Sequence, residues 1–169
     1  MATGGLMEAR TGFSLATAMM RIQVPMQMFL GIGCYIHLNR ETCVLQAMES
    51  ECSHILFVDS DVQFNFDAIA RLLAHGVDIV GARYNKKVIP IESTVKQDIK
   101  ELAEVPFVPT GFILINCEVF KKLKRPYFFF EDKADSSEDL YFCNKAIEAG
   151  FKVYCDPTIQ IAHLGTAAY

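Results

Sequence analysis

The chain has no apolar run of membrane-spanning length, no C-x-x-C pair, no basic excess and no internal repeat. Each absence removes a class of function. A spanning helix needs about 20 apolar residues. The longest candidate, Val24 to Cys34, is shorter, contains Gln27 and two glycines, and follows Gln23. The opening Met1-Ala2-Thr3-Gly4-Gly5 lacks a basic stretch leading into an apolar one, so it does not read as a secretory signal. The six cysteines (34, 43, 52, 117, 143, 155) are scattered, which argues against a zinc knuckle or a redox motif. Several fall within apolar patterns, as small hydrophobes do, and a reducing cytoplasm without disulfides is expected. The net charge is −4 with signs interspersed, so nothing resembles a nucleic-acid footprint. With 169 residues, 51% of them apolar, and no linker, residues 1–169 read as one domain.

What is present centres on Ile55-Leu56-Phe57-Val58-Asp59-Ser60-Asp61. Four apolar residues predict a buried strand of a parallel sheet. The run stops at two carboxylates spaced i, i+2. Ligands of open α/β sheets bind beyond the carboxyl ends of strands. Asp59 and Asp61 therefore suit a hard cation, Mn²⁺ or Mg²⁺, that holds a phosphate-bearing substrate. A strand-end turn rich in Asp and Ser is the plainer reading.

The flanking pattern predicts a helix over 7–21 with Leu6, Met7, Phe13, Leu15, Ala16, Met19 and Met20 as its apolar set. Arg10 falls on the polar side, as a solvated residue or as a phosphate contact. A strand over 27–32 and a helix over 39–52 follow, with Asn39 as N-cap and Val44, Leu45, Ala47 and Met48 inward. Arg40 in that helix's first turn opposes the helix dipole, which hints at an anionic ligand. After the 55–58 strand come a helix over 66–75, closed by Gly76, and a strand over 78–82. Alternating strands and helices with short links predict a mostly parallel, doubly wound sheet.

Residues 83–105, from Arg83 onward, break the period as a long loop or a crossing strand with a mobile segment. Strand character resumes over 107–115 around Pro109-Thr110-Gly111, followed by a helix over 117–123. Tyr127 to Phe130 read as core, with one ring available to a sugar or base. A helix over 136–149 ends at Gly150, and strands over 151–155 and 158–162 lead to His163.

Glu138 and Asp139 have two explanations. Ser136 with Asp139 fits a capping box, and acids in a first turn favour the dipole. Alternatively, one of them is a general base whose pKa is lifted by an aromatic, partly desolvated setting. His163, at a strand end, is either an ordinary core or surface histidine or a further metal ligand.

In order, these pieces resemble the GT-A glycosyltransferases, especially family-2-like enzymes that use nucleotide-diphospho-sugars. Asp59-Ser60-Asp61 resembles the family's D-x-D motif. Pro109-Thr110-Gly111-Phe112 is similar to the turn before the strand lining the donor sugar and acceptor. Glu138-Asp139-Leu140 resembles the E-D motif, and His163 resembles a late metal-binding histidine. The match runs over roughly 3–165.

The resemblance implies a GT-A (Rossmann-like) mixed sheet flanked by helices, and a metal held by Asp59, Asp61 and His163. It implies Asp139, beside Glu138, as catalytic base of an inverting transfer from a UDP- or GDP-sugar to a carbohydrate or other hydroxyl. It also implies donor contacts among Thr3, Gly4, Arg10, Arg40, Ser60, Arg83 and Gly111. The strand that opens such chains is missing, so either the chain is truncated or another segment or a subunit, as in a homo-oligomer, fills that edge.

Three alternatives stand beside it. A phosphatase-like D-x-D fold lacks later paired acids near a suitable Lys. A sugar nucleotidyltransferase has only Gly4-Gly5 and Arg10 as an echo of its glycine-rich loop. A non-catalytic nucleotide-sugar-binding or scaffold domain fits the missing strand.

Overall fold

The computed structural model describes residues 2–3, 6–88, 90–133 and 136–165. Its elements in order are β1 (Ala2–Thr3), α1 (Ala9–Arg21), β2 (Gly31–Ile32), α2 (Ile36–Glu49), β3 (His54–Val58), β4 (Val62–Phe64), α3 (Asp67–Ala74), β5 (Ile79–Gly81), β6 (Ala103–Glu104), β7 (Phe112–Asn116), α4 (Cys117–Lys122), α5 (Glu138–Glu148), β8 (Val153–Cys155) and β9 (Ile161–His163). The main sheet has five strands in the order β3-β7-β5-β8-β6. Pairing is parallel between β5 and β8 and antiparallel in β3–β7, β5–β7 and β6–β8. The sheet is mixed, as the resemblance implies, but the expected mostly parallel pairing is corrected: of its four strand pairs β5–β8 alone is parallel, because β7 and β6 run in the opposite sense.

This inversion still leaves β3, β5 and β8 pointing the same way. Their carboxyl ends and the amino end of β7 share one edge. Two apolar layers cover the two faces. One gathers Val44, Phe57, Ile113, Phe128 and Phe142, and the other Val62, Ile69, Leu72, Val80 and Phe112. Phe128 stacks on Phe142 with ring centroids 5.0 Å apart. Tyr127 and Phe128 are core, as expected, but no strand forms over 127–130.

β1 and β2 pair in parallel as a separate two-stranded sheet, so among the described strands β3 has no neighbour on its outer side. That edge borders an apolar cavity of about 480 Å³ between α1, α2 and residues 24–29. The 27–32 strand is reduced to Gly31–Ile32. No described helix is long and apolar enough to cross a membrane. Cys34, Cys52, Cys117, Cys143 and Cys155 are in the thiol form.

Three helix readings change. The face of α1 turned to the protein is Thr11, Ser14 and Ala18, and Ser14 Oγ accepts the Phe64 N–H at 3.2 Å. Most of the apolar set is outward instead, with Phe13 74% and Met20 86% exposed, while Leu15 packs partly buried against the core. Helix α2 starts at Ile36, so Asn39 is a buried interior residue rather than the cap, and Arg40 lies past the first turn. At α5 the N-cap is Ser137, whose hydroxyl accepts the Leu140 N–H at 3.2 Å, while Ser136 Oγ accepts from Glu131 N. The final strands are shorter than expected because Pro157 lacks a donor and turns the chain between β8 and β9.

Candidate functional site

The carboxyl end of β3 delivers Asp59 directly, because the Asp59 N–H still donates to Gly111 O at 3.0 Å, continuing the β3–β7 ladder. Asp61 follows one turn later and opens β4. Pairing of β4 with β9 sets Val62 opposite His163, and the Leu164 N–H donates to Asp61 O at 2.7 Å. A register between two three-residue strands thus brings together residues 102 positions apart. Ser60 O accepts the Glu8 N–H at 2.9 Å, which ties the start of α1 to the same turn.

The two aspartates face different partners. Arg40, 1% exposed, donates from Nη2 to Asp59 Oδ1 at 3.1 Å and from Nε to Glu138 Oε1 at 3.2 Å. Its Nη1 donates to Thr110 O at 3.4 Å. Burial works against the charge, but Asp59, Asp139 and Glu138 outweigh it and hold the guanidinium firmly protonated. Burial raises Asp59 above the usual carboxylate range, and Arg40 opposes that rise.

Asp61 is 32% exposed, and its Oδ2 takes an ion pair from Lys87 and faces His163 Nε2 at 3.6 Å. Burial pushes its pKa up, but His163 and Lys87 more than offset this and bring it down to about 2. His163 Nδ1 lies 3.0 Å from Asn85 O, an acceptor that fixes the proton on Nδ1. His163 Nε2 then faces Asp61, as a donor when the ring is protonated and as a lone pair when it is neutral.

Glu138 and Asp139 diverge as well. Glu138 is 8% exposed and committed to Arg40. Asp139, half-buried, accepts the Thr110 N–H at 3.2 Å. Burial, reinforced by Glu138, raises its pKa to about 6 against the pull of Arg40. The Thr110 hydroxyl beside it is fully buried without a partner. Gly111 is required by close approach, since a Cβ there would lie 2.9 Å from Asp59 Oδ2 and in collision with Tyr84 Oη.

Asp59, Asp139, Glu138, Arg40, Thr110 and Gly111 are therefore one contiguous group, with Asp61, His163 and Lys87 alongside. The three expected metal ligands do not converge, and among the described residues no three acids, histidines or cysteines do. Asp61 and His163 do fit a cation. They present two acceptors to each other, and the Nδ1–H bond to a carbonyl is the usual support of a metal-binding imidazole. Lys87 supplies positive charge to the same Asp61 oxygen.

Arg40 is buried and committed, not a donor contact. Arg83 lines a separate groove, and Arg10 is exposed on the first turn of α1. Thr3 belongs to β1, and Gly4 lies outside the described residues. Lys87 and Tyr84 sit in the aperiodic 83–105 stretch, where the only sequence signal is its length.

No family model matches the chain. No curated protein matches it either. Among solved structures, the fold is similar to A197 from STIV, with a TM-score of 0.71, 21% identity, and coverage of 97% of this chain and 83% of that one. The likeness is one of fold.

Proposed function

We propose that the protein is a metal-dependent glycosyltransferase of GT-A type. It moves a sugar from a nucleotide-diphospho-sugar to an acceptor hydroxyl with inversion. The observation that carries the reading is Asp139, a half-buried residue whose carboxyl has a pKa raised to about 6 by desolvation. It sits one hydrogen bond from the turn that also touches Asp59. A base poised near neutrality removes a hydroxyl proton efficiently while remaining largely ionised.

Asp139 takes the acceptor proton as the acceptor oxygen bonds to the anomeric carbon. The bond from that carbon to the diphosphate breaks, and the electron pair leaves with the nucleotide. Arg40 holds Asp59 and Glu138 in place and neutralises them, which leaves Asp139 as the carboxylate free to act. Asp61 and His163 would hold Mn²⁺ or Mg²⁺, which normally keeps one or two protein ligands and takes the rest from water and phosphate. When bound, such an ion neutralises the diphosphate leaving group.

The decisive experiment incubates the protein with Mn²⁺ and a panel of UDP- and GDP-sugars and measures released nucleotide. Asp139→Asn should lower turnover by about 10²–10⁴-fold with donor binding retained. Equal turnover in the variant sinks the assignment. The Lys87–Asp61 ion pair favours one second reading, a non-catalytic nucleotide-sugar-binding domain. Binding without any release, unaffected by Asp139→Asn, would support it.

A further inference from the structure

The outer edge of β3 opens into the apolar cavity of about 480 Å³. All five residues of β3, His54 to Val58, line it. Successive side chains of a strand point to opposite faces, so a cavity that meets all five lies at the strand's edge, in the plane of the sheet. The other walls agree. Cys43 and Ala47 of α2 belong to one apolar layer, whereas Ala18 of α1 and Ile69 of α3 belong to the other. Residues 24–29, which belong to no strand, close a further side and lead into β2. The space therefore sits where one more strand of the sheet would sit, with helices of both layers around it.

The backbone of β3 points to the same conclusion. The Cys117 N–H donates to Ser53 O at 2.9 Å, and the Asp59 N–H donates to Gly111 O at 3.0 Å. Between these two bonds Ile55 lies opposite Ile115 and Phe57 opposite Ile113. In an antiparallel ladder this register turns the N–H and C=O of the odd-numbered residues toward β7. Those of His54, Leu56 and Val58 face the cavity, and among the described strands none pairs with them. Backbone groups left unpaired against an apolar wall carry a desolvation cost, which a partner with matching N–H and C=O groups relieves.

We infer that this slot binds an extended, uncharged apolar segment of another polypeptide, which pairs with β3 as an added strand. Among the described residues the lining contains no Asp, Glu, Lys or Arg, so a charged segment finds no counter-charge there. The five residues of β3 at about 3.3 Å each span about 16 Å, which sets the segment's length. A hydrocarbon chain matches the lining but leaves the three outward backbone positions unpaired. The folded face of a second copy is too broad for a space one strand wide. Strand addition supplies both the apolar contact and the main-chain hydrogen bonds.

Val58, the last outward position, directly precedes Asp59, so the added strand bonds the residue before the carboxylate cluster. The inference stands apart from the transferase reading, because strand pairing needs neither a sugar donor nor a metal.

The test uses the full chain and a synthetic peptide of five alternating valines and isoleucines between terminal lysines. Amide hydrogen exchange is followed residue by residue by NMR, with and without the peptide. Exchange at His54, Leu56 and Val58 should slow by about tenfold or more, while Ile55 and Phe57 are protected in both states. The same peptide with an N-methylated backbone keeps its side chains and loses its donors, and should bind at least about tenfold more weakly. Ala47→Phe, which places a ring in the cavity, should remove peptide binding with the fold intact by circular dichroism.

Absence of peptide binding overturns the inference, as does unchanged binding to folded Ala47→Phe. Equal affinity for the N-methylated peptide, or peptide binding without slowing at the three outward amides, shows a general apolar cavity and overturns strand pairing. Displacement of the peptide by an excess of decanoate, with those amides equally slow in its presence, overturns it as well. A dimer whose His54, Leu56 and Val58 amides are protected before any peptide is added assigns the slot to a second copy instead.

Discussion

Arg40 Nη2 lies 3.1 Å from Asp59 Oδ1, and the guanidinium is almost sealed from solvent. The same side chain reaches Glu138, so one cation from α2 joins the end of β3 to the start of α5. Replacing it with Met leaves two carboxylates without their compensating charge. We expect Arg40→Met to destabilise the fold by about 3–5 kcal/mol, read by urea unfolding at pH 7. The loss should shrink at pH 4, where the orphaned carboxylates protonate. A variant as stable as the parent would show that the three-way bridge carries no structural weight.

Asp139 makes activity and stability run in opposite directions with pH. Its pKa is raised from 3.8 to about 6 in the folded protein. The protonated form is therefore favoured by folding. That contribution is fully present below the unfolded pKa and disappears as pH rises through about 6. The ionised form is the base, so kcat/KM should climb tenfold per pH unit below about 6 and level off above it. Asp139→Asn should remove this limb and leave stability at pH 7 equal or higher. A flat pH profile in the parent would exclude Asp139 as the base.

Gly111 serves the site through what it lacks. A methyl group there meets Asp59 Oδ2 at 2.9 Å and collides with the Tyr84 hydroxyl. Gly111→Ala should cost about 1–3 kcal/mol by thermal or urea unfolding. Adding Tyr84→Phe removes the colliding oxygen and should recover part of that cost. Additive losses in the double variant would place the strain elsewhere.

Lys87 and a divalent cation compete for one oxygen of Asp61. Lys87→Ala should tighten Mn²⁺ binding several-fold in calorimetric titration, and Asp61→Ala should abolish it. Asp61, with its pKa lowered to about 2, stays ionised through the ordinary range, so neither effect should vary with pH between 5 and 8 on its account. His163→Ala should weaken the metal by about 10–100-fold if the imidazole is a ligand. Equal Mn²⁺ affinity in the Lys87 variant would mean that the lysine does not occupy the cation's place.

Much of the plan was legible because it is local. The apolar run before Asp59, the glycines at 76 and 150 and the short helices between strands are sequence-range signals, and each element appears within a few residues of its expected place. Gly76 and Gly150 take positive φ values of 62° and 90°, as helix-ending glycines do. The elements that depart from local patterning do so because tertiary contacts decide them. Periodicity in α1 shows that the helix has two unlike faces but not which face the fold covers. Contact with β4 selected Thr11, Ser14 and Ala18. Helix α2 begins about one turn before Asn39, which puts Arg40 in the buried interior of the helix rather than at a ligand-facing end.

The sequence by itself determined that an apolar strand would end in two carboxylates, that an acidic pair would open a helix, and that a histidine would close the last strand. These follow from nearest-neighbour patterning, which acts over a few residues. Only the tertiary structure decided their roles. The register of β4 on β9 pairs Asp61 with His163. The reach of Arg40 across 98 positions commits Glu138 to an ion pair, while Asp139 keeps a pKa raised to about 6. Charge compensation in a low-dielectric interior depends on which groups meet in space, and that distance is set by the folded sheet, not by spacing along the chain.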